Sequence, residues 1–585
     1  MNLNDIHSPA DIKKLDIAQL RELAGEIRQA LLQKLSEHGG HVGPNLGMVE
    51  AEIALHYVFD SPKDKIIFDV SHQSYVHKML TGRMQAFTDP RHYNDVTGFT
   101  NPKESPHDFF TVGHTSTGVS LATGLAKARD LQGGTENIIA VVGDGSLSGG
   151  EAFEGLDNAA VLHSNFIVVV NDNQMAIAEN HGGLYADLHL LRSTRGEAAV
   201  NYFRSLGFAY RYVAQGNDVA ALIDAFRDVK DSKNPVVVHI VTEKGEGYEP
   251  AVRDKEKWHF ESPFNIATGT VYADEDTTPD YADITAEYLL KRIKDDPKTV
   301  VISSATPDTI GFTPERRRAA GANYVDVGIA EEHAAAFASG LAKGGMRPFW
   351  GVMTSFMQRA FDQIQQDIAI NNNPAVIGIF GSTLWGTNDV THLCWFDIPM
   401  ISNIPNVVML APADRTEYMS MLKWALDQTK HPVAIRVPAI PVADLDIPVS
   451  DTYDDLNTFQ QVRAGHGVAI IAVGNMLGNA LKAADILKAD GYEPTVINPR
   501  FLSGLDAEML SALEPDHTAV VTVEDGCLDG GFGQKVAAFY GDRPMLVRNL
   551  GIPKKFLDVY NREALAKSCC LTPETMAASI REMFK

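Results

Sequence analysis

At 585 residues, with 45% hydrophobic and 22% charged side chains, the chain is too long for one core and reads as about three or four globular domains. A formal net charge of −24, from 51 basic and 75 acidic residues, excludes nucleic acid and anionic membrane as expected partners, and no run of about 18 apolar residues is present to cross a bilayer. Four scattered cysteines without a CxxC pair exclude a disulfide framework or thiolate zinc site, and MNLNDIHSPADIKKLD lacks the pattern of a signal peptide, so a cytoplasmic enzyme with reduced thiols is expected.

In chain order, strand-like runs alternate with helix-length amphipathic segments: IIAVVGDG (138–145), FIVVVNDN (166–173), PVVVHIVTE (235–243), TVVISSA (299–305), NYVDVGIA (323–330), AVIGIFG (375–381), NVVMLAP (406–412), VAIIAVG (468–474), YEPTVINP (492–499) and AVVTVED (519–525). Continuous Val/Ile runs, rather than strict alternation, predict strands buried on both faces, hence an α/β fold of parallel sheets flanked by helices. Two stretches poor in apolar periodicity, PFNIATGTVYADEDTTPDYAD and VPAIPVADLDIPVSDTYDD, divide the chain. The expected organisation is a domain over 1–265, a linker over 266–282, a second domain over 283–445 and a third over 446–585.

The run IIAVVGDG ends at Asp144 between Gly143 and Gly145, where an acid would repel any phosphate approaching the backbone unless a cation intervened. FIVVVNDN ends at Asn173, and 173 − 144 gives 29 residues, about what a strand–helix–strand crossover needs to bring two strand tips to one sheet edge. Ligands of open α/β sheets lie at that edge. An Asp carboxylate, an Asn carbonyl oxygen and a nearby main-chain carbonyl are hard oxygen ligands suited to Mg²⁺ or Ca²⁺, and such a cation lets an acidic turn hold a diphosphate.

The joint GDG and NDN pattern resembles the fingerprint of thiamine-diphosphate enzymes, and the resemblance extends along the chain. HGGHVGPNLGMVEAEIALHYVFDSPKDKIIFDVSHQSYVHKMLTGR (38–83), GHTSTGVSLATGLAKA (113–128), KGEGYEPA (244–251) with His259 beyond, and AEEHAAAFASGLAKGG (330–345) follow in the order found in the 1-deoxy-D-xylulose-5-phosphate synthases, a transketolase-like family. The resemblance implies three domains, for the diphosphate, for the pyrimidine and a C-terminal transketolase-like one, in a homodimer. It implies thiamine diphosphate and Mg²⁺, the metal being held by Asp144, Asn173 and the main-chain oxygen of Met175. Gly113, His114, Ser116, Gly145, Ser146 and Lys244 would lie around the cofactor, with Lys244 either meeting the diphosphate or solvated. Glu331 is the counterpart of the glutamate that hydrogen-bonds the aminopyrimidine ring and favours its imino tautomer, although a carboxylate at a helix N-terminus also stabilises the helix. Phe356 would stack on that ring or pack in the core.

His41 and His72 are expected to handle protons, since an imidazole titrates near neutrality; His72 would also touch the cofactor. His392 would share in catalysis, and His259 and Arg359 would meet substrate. The implied reaction decarboxylates pyruvate and joins the two-carbon unit to D-glyceraldehyde 3-phosphate, feeding isoprene and thiamine biosynthesis.

Departures from the family cluster in FGSTLWGTNDVTHLCWFD (380–397), where His392 and Asp397 keep their places. Gly381 stands where an arginine is expected, Asn388 where an aspartate is, Ala439 in RVPA where a second arginine is, and Met353 where a tyrosine is. Loss of two guanidinium forks weakens the grip on an acceptor phosphate. Only about twenty residues separate Asn180 from NYFRSLGF, where the family inserts a longer segment, so a site more open to water is expected. Two alternatives stay open: a transketolase-type enzyme with another aldehyde acceptor or ketose donor, and a catalytically silent cofactor-binding paralogue.

Overall fold

The computed structural model describes residues 3–272 and 279–585; residues 273–278 of the expected linker lie outside them. The chain forms two compact units, Met1–Asp276 with Gly328–Ala330, and Thr277–Val327 with Glu331–Lys585.

The first unit is built on a parallel sheet of β1 (Lys65–Phe68), β2 (Ile138–Gly143), β3 (Ile167–Asp172), β4 (Ala209–Val213) and β5 (Val236–Val241) in the order β1-β2-β3-β5-β4. The Val/Ile runs feed two cores at once. Ile139, Val141, Ile167 and Val169 point to helices Ile17–His38, Gly43–Val58 and Val219–Val229, while the alternate residues Ile138, Ala140, Val168 and Val170 pack toward Gly118–Leu131 and Gly150–Ala159. Two-sided burial leaves no solvated face to carry polar residues, so function is confined to the strand ends.

The second unit holds two sheets. β6 (Thr299–Ser303), β7 (Tyr324–Asp326), β8 (Arg347–Met353), β9 (Val376–Phe380), β10 (Val408–Leu410) and β11 (Val433–Val437) are all parallel, in the order β10-β11-β9-β8-β6-β7. β12 (Gln460–Arg463), β13 (Gly467–Ala472), β14 (Thr495–Asn498), β15 (His517–Cys527) and β16 (Leu546–Ile552) follow in the order β12-β14-β13-β15-β16, with β12 antiparallel to β14. One apolar core takes residues from both sheets, including Trp350 and Ile377 of the first and Ile471 and Val520 of the second.

Beside that shared core lies a buried ion cluster. Arg436, 2% exposed on β11, donates to Asp397 at 2.7 Å and to Asp525 of β15 at 2.6 Å, and Asn475 donates to the other Asp525 oxygen at 2.9 Å. The neighbouring Glu524 accepts the N–H groups of Phe532 and Gly533 at 2.9 and 2.8 Å, capping helix Phe532–Tyr540. The VEDG residues lie within β15, and Asp397 serves this cluster. No helix among the described residues is long and apolar enough to cross a membrane.

Arg436→Met leaves Asp397 and Asp525 as uncompensated buried charges, a defect worth roughly 3–5 kcal/mol. In urea unfolding at neutral pH the transition of this unit is expected at clearly lower denaturant in the variant than in the parent; an unchanged midpoint would refute the role given to the cluster.

Candidate active site

At the carboxyl edge of the first sheet, Gly143 pairs with Asn171 in the β2–β3 register and Asp144 donates its N–H to the Asn171 carbonyl at 3.0 Å, so Asp144 and the residues after β3 share one corner. Asp144 is 1% exposed; its Oδ2 accepts from Asn180 Nδ2 at 2.7 Å, and its buried Oδ1 has no hydrogen-bond partner among the described residues. Burial, reinforced by the charge of Asp172, pushes this carboxyl up to about 8. Asn173 Oδ1 accepts the Met175 N–H at 3.1 Å, folding the main chain back at Gln174, whose φ is +67°. A Cβ on Gly145 would meet Ala176 Cα and Cβ at 2.9 Å, so the close approach of residues 173–177 to the GDG turn requires that glycine.

Lys244 pins the same segment from below. It is 1% exposed, not solvated, and its Nζ donates to the Ala176 carbonyl at 2.8 Å; burial lowers its amine to about 7. Among the described residues no three His, Cys, Asp or Glu side chains gather as a metal cluster. The donors here are of another kind: one carboxylate, one amide oxygen and a folded-back main chain. A carboxylate oxygen buried with nothing to accept from fits a hard divalent cation, which removes the cost of keeping that charge out of water.

The short segment after Asn180, expected to leave the site open, instead folds as helix Gly183–Ser193 over the GDG turn. The Tyr185 hydroxyl lies 3.2 Å from the carbonyls of both Asp144 and Gly145, and Arg192 pairs with Asp172 at 2.6 Å, beneath which His239 Nε2 meets the same carboxylate oxygen at 2.8 Å. Burial opposes ionisation of Asp172, yet His239 and Arg192 hold its carboxyl below the usual range.

Three histidines meet in this unit. His41 and His72 have ring centroids 4.8 Å apart, and His259 lies 5.6 Å from His41 and 5.1 Å from His72. A two-way backbone bridge between Gly40 and Glu261, at 2.9 and 3.0 Å, brings the His259 loop against the His41 loop. Burial, then Lys244, His72 and His41, press the His259 imidazole well below 6.5, so it is neutral near pH 7. His114 lies on the adjoining turn, which Asp69 organises by accepting the Ser116 and Gly118 N–H groups at 2.9 and 2.7 Å; Ser116 Oγ donates to the Ser146 carbonyl at 2.8 Å, joining the Gly113–Ser116 turn to the GDG turn.

In the second unit Glu331 opens helix Glu331–Lys343, 4% exposed, with Oε2 3.6 Å from Arg359 Nη1 and accepting no hydrogen bond. Burial pushes its carboxyl up to about 7 against the pull of Arg359. Phe356 packs its ring edge-on to His392 at 5.5 Å, and His392 Nδ1 lies 2.7 Å from Thr391 Oγ1 and 3.2 Å from Asp389. Burial resists ionisation of Asp389, but His392 and Thr391 keep it ionised. Asn388 trades two bonds with Tyr560, donating to its carbonyl at 2.7 Å and accepting its N–H at 2.8 Å; an aspartate could not donate the first. Gly381 has φ +78°, and Ala439 is exposed.

Comparison with known proteins gives a consistent result. Residues 3–202 and 192–242 match the family model described as 1-deoxy-D-xylulose-5-phosphate synthase, 277–441 that of the transketolase pyrimidine binding domain, and 458–576 that of the transketolase C-terminal domain. A 1-deoxy-D-xylulose-5-phosphate synthase of Symbiobacterium thermophilum is 39% identical over 617 residues, covering 99% of this chain and 94% of its own. That of Caldanaerobacter subterraneus subsp. tengcongensis is 37% identical over 627 residues, covering 100% and 99%. Among solved structures, a transketolase from Campylobacter jejuni is 17% identical, with a TM-score of 0.46 over 97% of this chain and 100% of that one.

Glu331 is a carboxyl raised by the fold from 4.5 to about 7, so the folded state holds its proton more tightly than the unfolded one, and the burial penalty grows as pH rises between those values. Glu331→Gln is therefore expected to gain stability relative to the parent above pH 7, by up to about 3 kcal/mol, with the difference vanishing below about pH 4.5. Paired thermal melts across that range check the sign.

Proposed function

The chain belongs to the 1-deoxy-D-xylulose-5-phosphate synthase family, and from that premise we propose that it decarboxylates pyruvate and joins the two-carbon unit to D-glyceraldehyde 3-phosphate, giving 1-deoxy-D-xylulose 5-phosphate and CO₂, with thiamine diphosphate and Mg²⁺. The observation that carries this reading is Asp144, a buried carboxyl group whose Oδ1 accepts no hydrogen bond among the described residues, at a strand end beside Asn173. Asp144, Asn173 and the Met175 carbonyl would hold the cation. The Gly113–Ser116 turn with His114, the turn of Gly145 and Ser146, and Lys244 would hold the diphosphate. Thiamine diphosphate, when bound, supplies the electron sink for breaking the bond between the pyruvate carbonyl carbon and its carboxylate.

The chain's own groups handle the protons. Glu331, with a carboxyl near 7, can hold or release a proton at neutral pH against the pyrimidine ring, with Phe356 beside it. In the histidine trio His259 stays neutral, and His41 and His72, with ring centroids 4.8 Å apart, would be the pair that exchanges protons with the substrate. His392, oriented by Asp389, would serve the acceptor's hydroxyl or carbonyl oxygen, and Arg359, already facing Glu331, contributes positive charge to the same region. We further propose a cytoplasmic homodimer.

A second reading concerns the acceptor alone. Gly381, Ala439 and Met353 cannot supply guanidinium or phenol donors to a phosphate, which favours an acceptor held by fewer anion contacts.

With purified protein, thiamine diphosphate, Mg²⁺ and pyruvate, CO₂ release and a deoxyxylulose phosphate are expected when D-glyceraldehyde 3-phosphate is added. A panel of phosphorylated and unphosphorylated aldehydes read by mass spectrometry separates the two acceptors, and cofactor binding without pyruvate turnover would overturn the enzymatic reading altogether. Asp144→Ala is expected to abolish Mg²⁺-dependent binding of thiamine diphosphate by calorimetry with the fold retained; binding equal to the parent would refute the metal assignment.

A further inference from the structure

Helix Gly43–Val58 begins two residues after His41 and is almost wholly buried, yet three polar side chains lie along one of its faces, Asn45, Glu52 and His56, spaced seven and four apart. All three face the segment that carries His72. Asn45, 0% exposed, donates through Nδ2 to the carbonyls of both His41 and His72, each at 2.8 Å, and accepts the Tyr75 N–H at 3.0 Å through Oδ1. Glu52 accepts the His77 N–H, and His56 Nε2 lies 2.9 Å from His77 Nδ1. Of these three, Asn45 is the one that bonds the main chain of both histidine loops.

The loop before His72 needs such a hold. Val70 and Ser71 have φ of +61° and +68°, a left-handed conformation that a β-branched residue rarely adopts. Strain of that kind persists only where surrounding bonds over-determine it. Ser71 Oγ donates to the Val112 carbonyl at 2.7 Å and accepts the Thr100 N–H at 2.9 Å, which fixes the residue before His72; Asn45 fixes His72 itself.

We propose that Asn45 is the positioning residue of the histidine pair, one amide that sets His41 and His72 in register by gripping the main chain of both. This rests on the reading of His41 and His72 as the proton-handling groups. Asparagine suits the task because it alone among small side chains offers two donors and an acceptor in one plane. Glu52 and His56, further along the same face, secure the helix that follows His72 and do not touch His41.

The test uses the full chain with isotope-labelled histidine rings. The ring signals of His41 and His72 are identified by their loss in His41→Gln and His72→Gln. In Asn45→Ala both signals are expected to move, with kcat/KM falling roughly 10²-fold, the scale expected when a catalytic group is displaced by about 1 Å. In Asn45→Ser the hydroxyl can still reach the carbonyl four residues back, so the His41 signal is expected to stay and the His72 signal to move. Glu52→Gln, which keeps an oxygen to accept the His77 N–H and leaves the bonds of Asn45 untouched, should leave both in place. Unmoved signals in Asn45→Ala, or equal movement in Glu52→Gln, would overturn the proposal, and Asn45→Ser carries the test if the alanine variant does not fold. Should His41→Gln and His72→Gln keep parental turnover, the reading of the pair as proton handlers fails, while the grip of Asn45 on both loops is still read from the spectra.

Discussion

Everything in the first unit follows from one pairing, β2 alongside β3 in parallel register. Parallel strands buried on both faces leave only their ends for chemistry, and a parallel crossover returns each strand with its carboxyl end on the same edge. With Gly143 opposite Asn171, the acid that follows one strand and the amide that follows the other arrive together. The remaining parts of the corner refine that meeting: Gly145 admits residue 176, Lys244 pins it, and Tyr185 covers the turn. An antiparallel pairing would have sent the two residues to opposite ends of the sheet.

Core strands made of continuous Val/Ile runs were legible because their burial is two-sided. Runs such as IIAVVG and IVVVN have no other use in a protein of this charge, and they are the central strands β2 and β3. Strands without a Val/Ile run were not seen, whether exposed, as β4, AYRYV, and β12, QQVR, or buried, as β8, RPFWGVM, and β11, VAIRV. NYVDVGIA shrank to three strand residues because its second half leaves the sheet toward Glu331.

The candidate site was legible where spacing along the chain carries the geometry, as between Asp144 and Asn173. It was not where long-range contacts carry it. His259 joins His41 through the bridge between Gly40 and Glu261, a contact no local pattern announces. Asp69 and Asn45 look like ordinary loop and helix residues, and their importance lies in being buried with every bond spoken for. The short stretch after Asn180 misled in the opposite direction, since a count of residues says nothing of whether eleven of them form a helix that Arg192 ties back to Asp172.

Gly381 carries a consequence for how this chain can change. Its backbone sits at φ +78°, in a turn closed by the Thr383 N–H donating to its own carbonyl at 2.8 Å, and any side chain placed there adopts a left-handed conformation at a cost of roughly 1–2 kcal/mol. A Cβ would find room, with Cys394 Sγ at 3.8 Å, so the obstacle is conformational and not steric. A cationic side chain introduced at that position thus carries a backbone cost before it makes any contact, in a turn fastened beyond its own sheet through Asn388 and Tyr560.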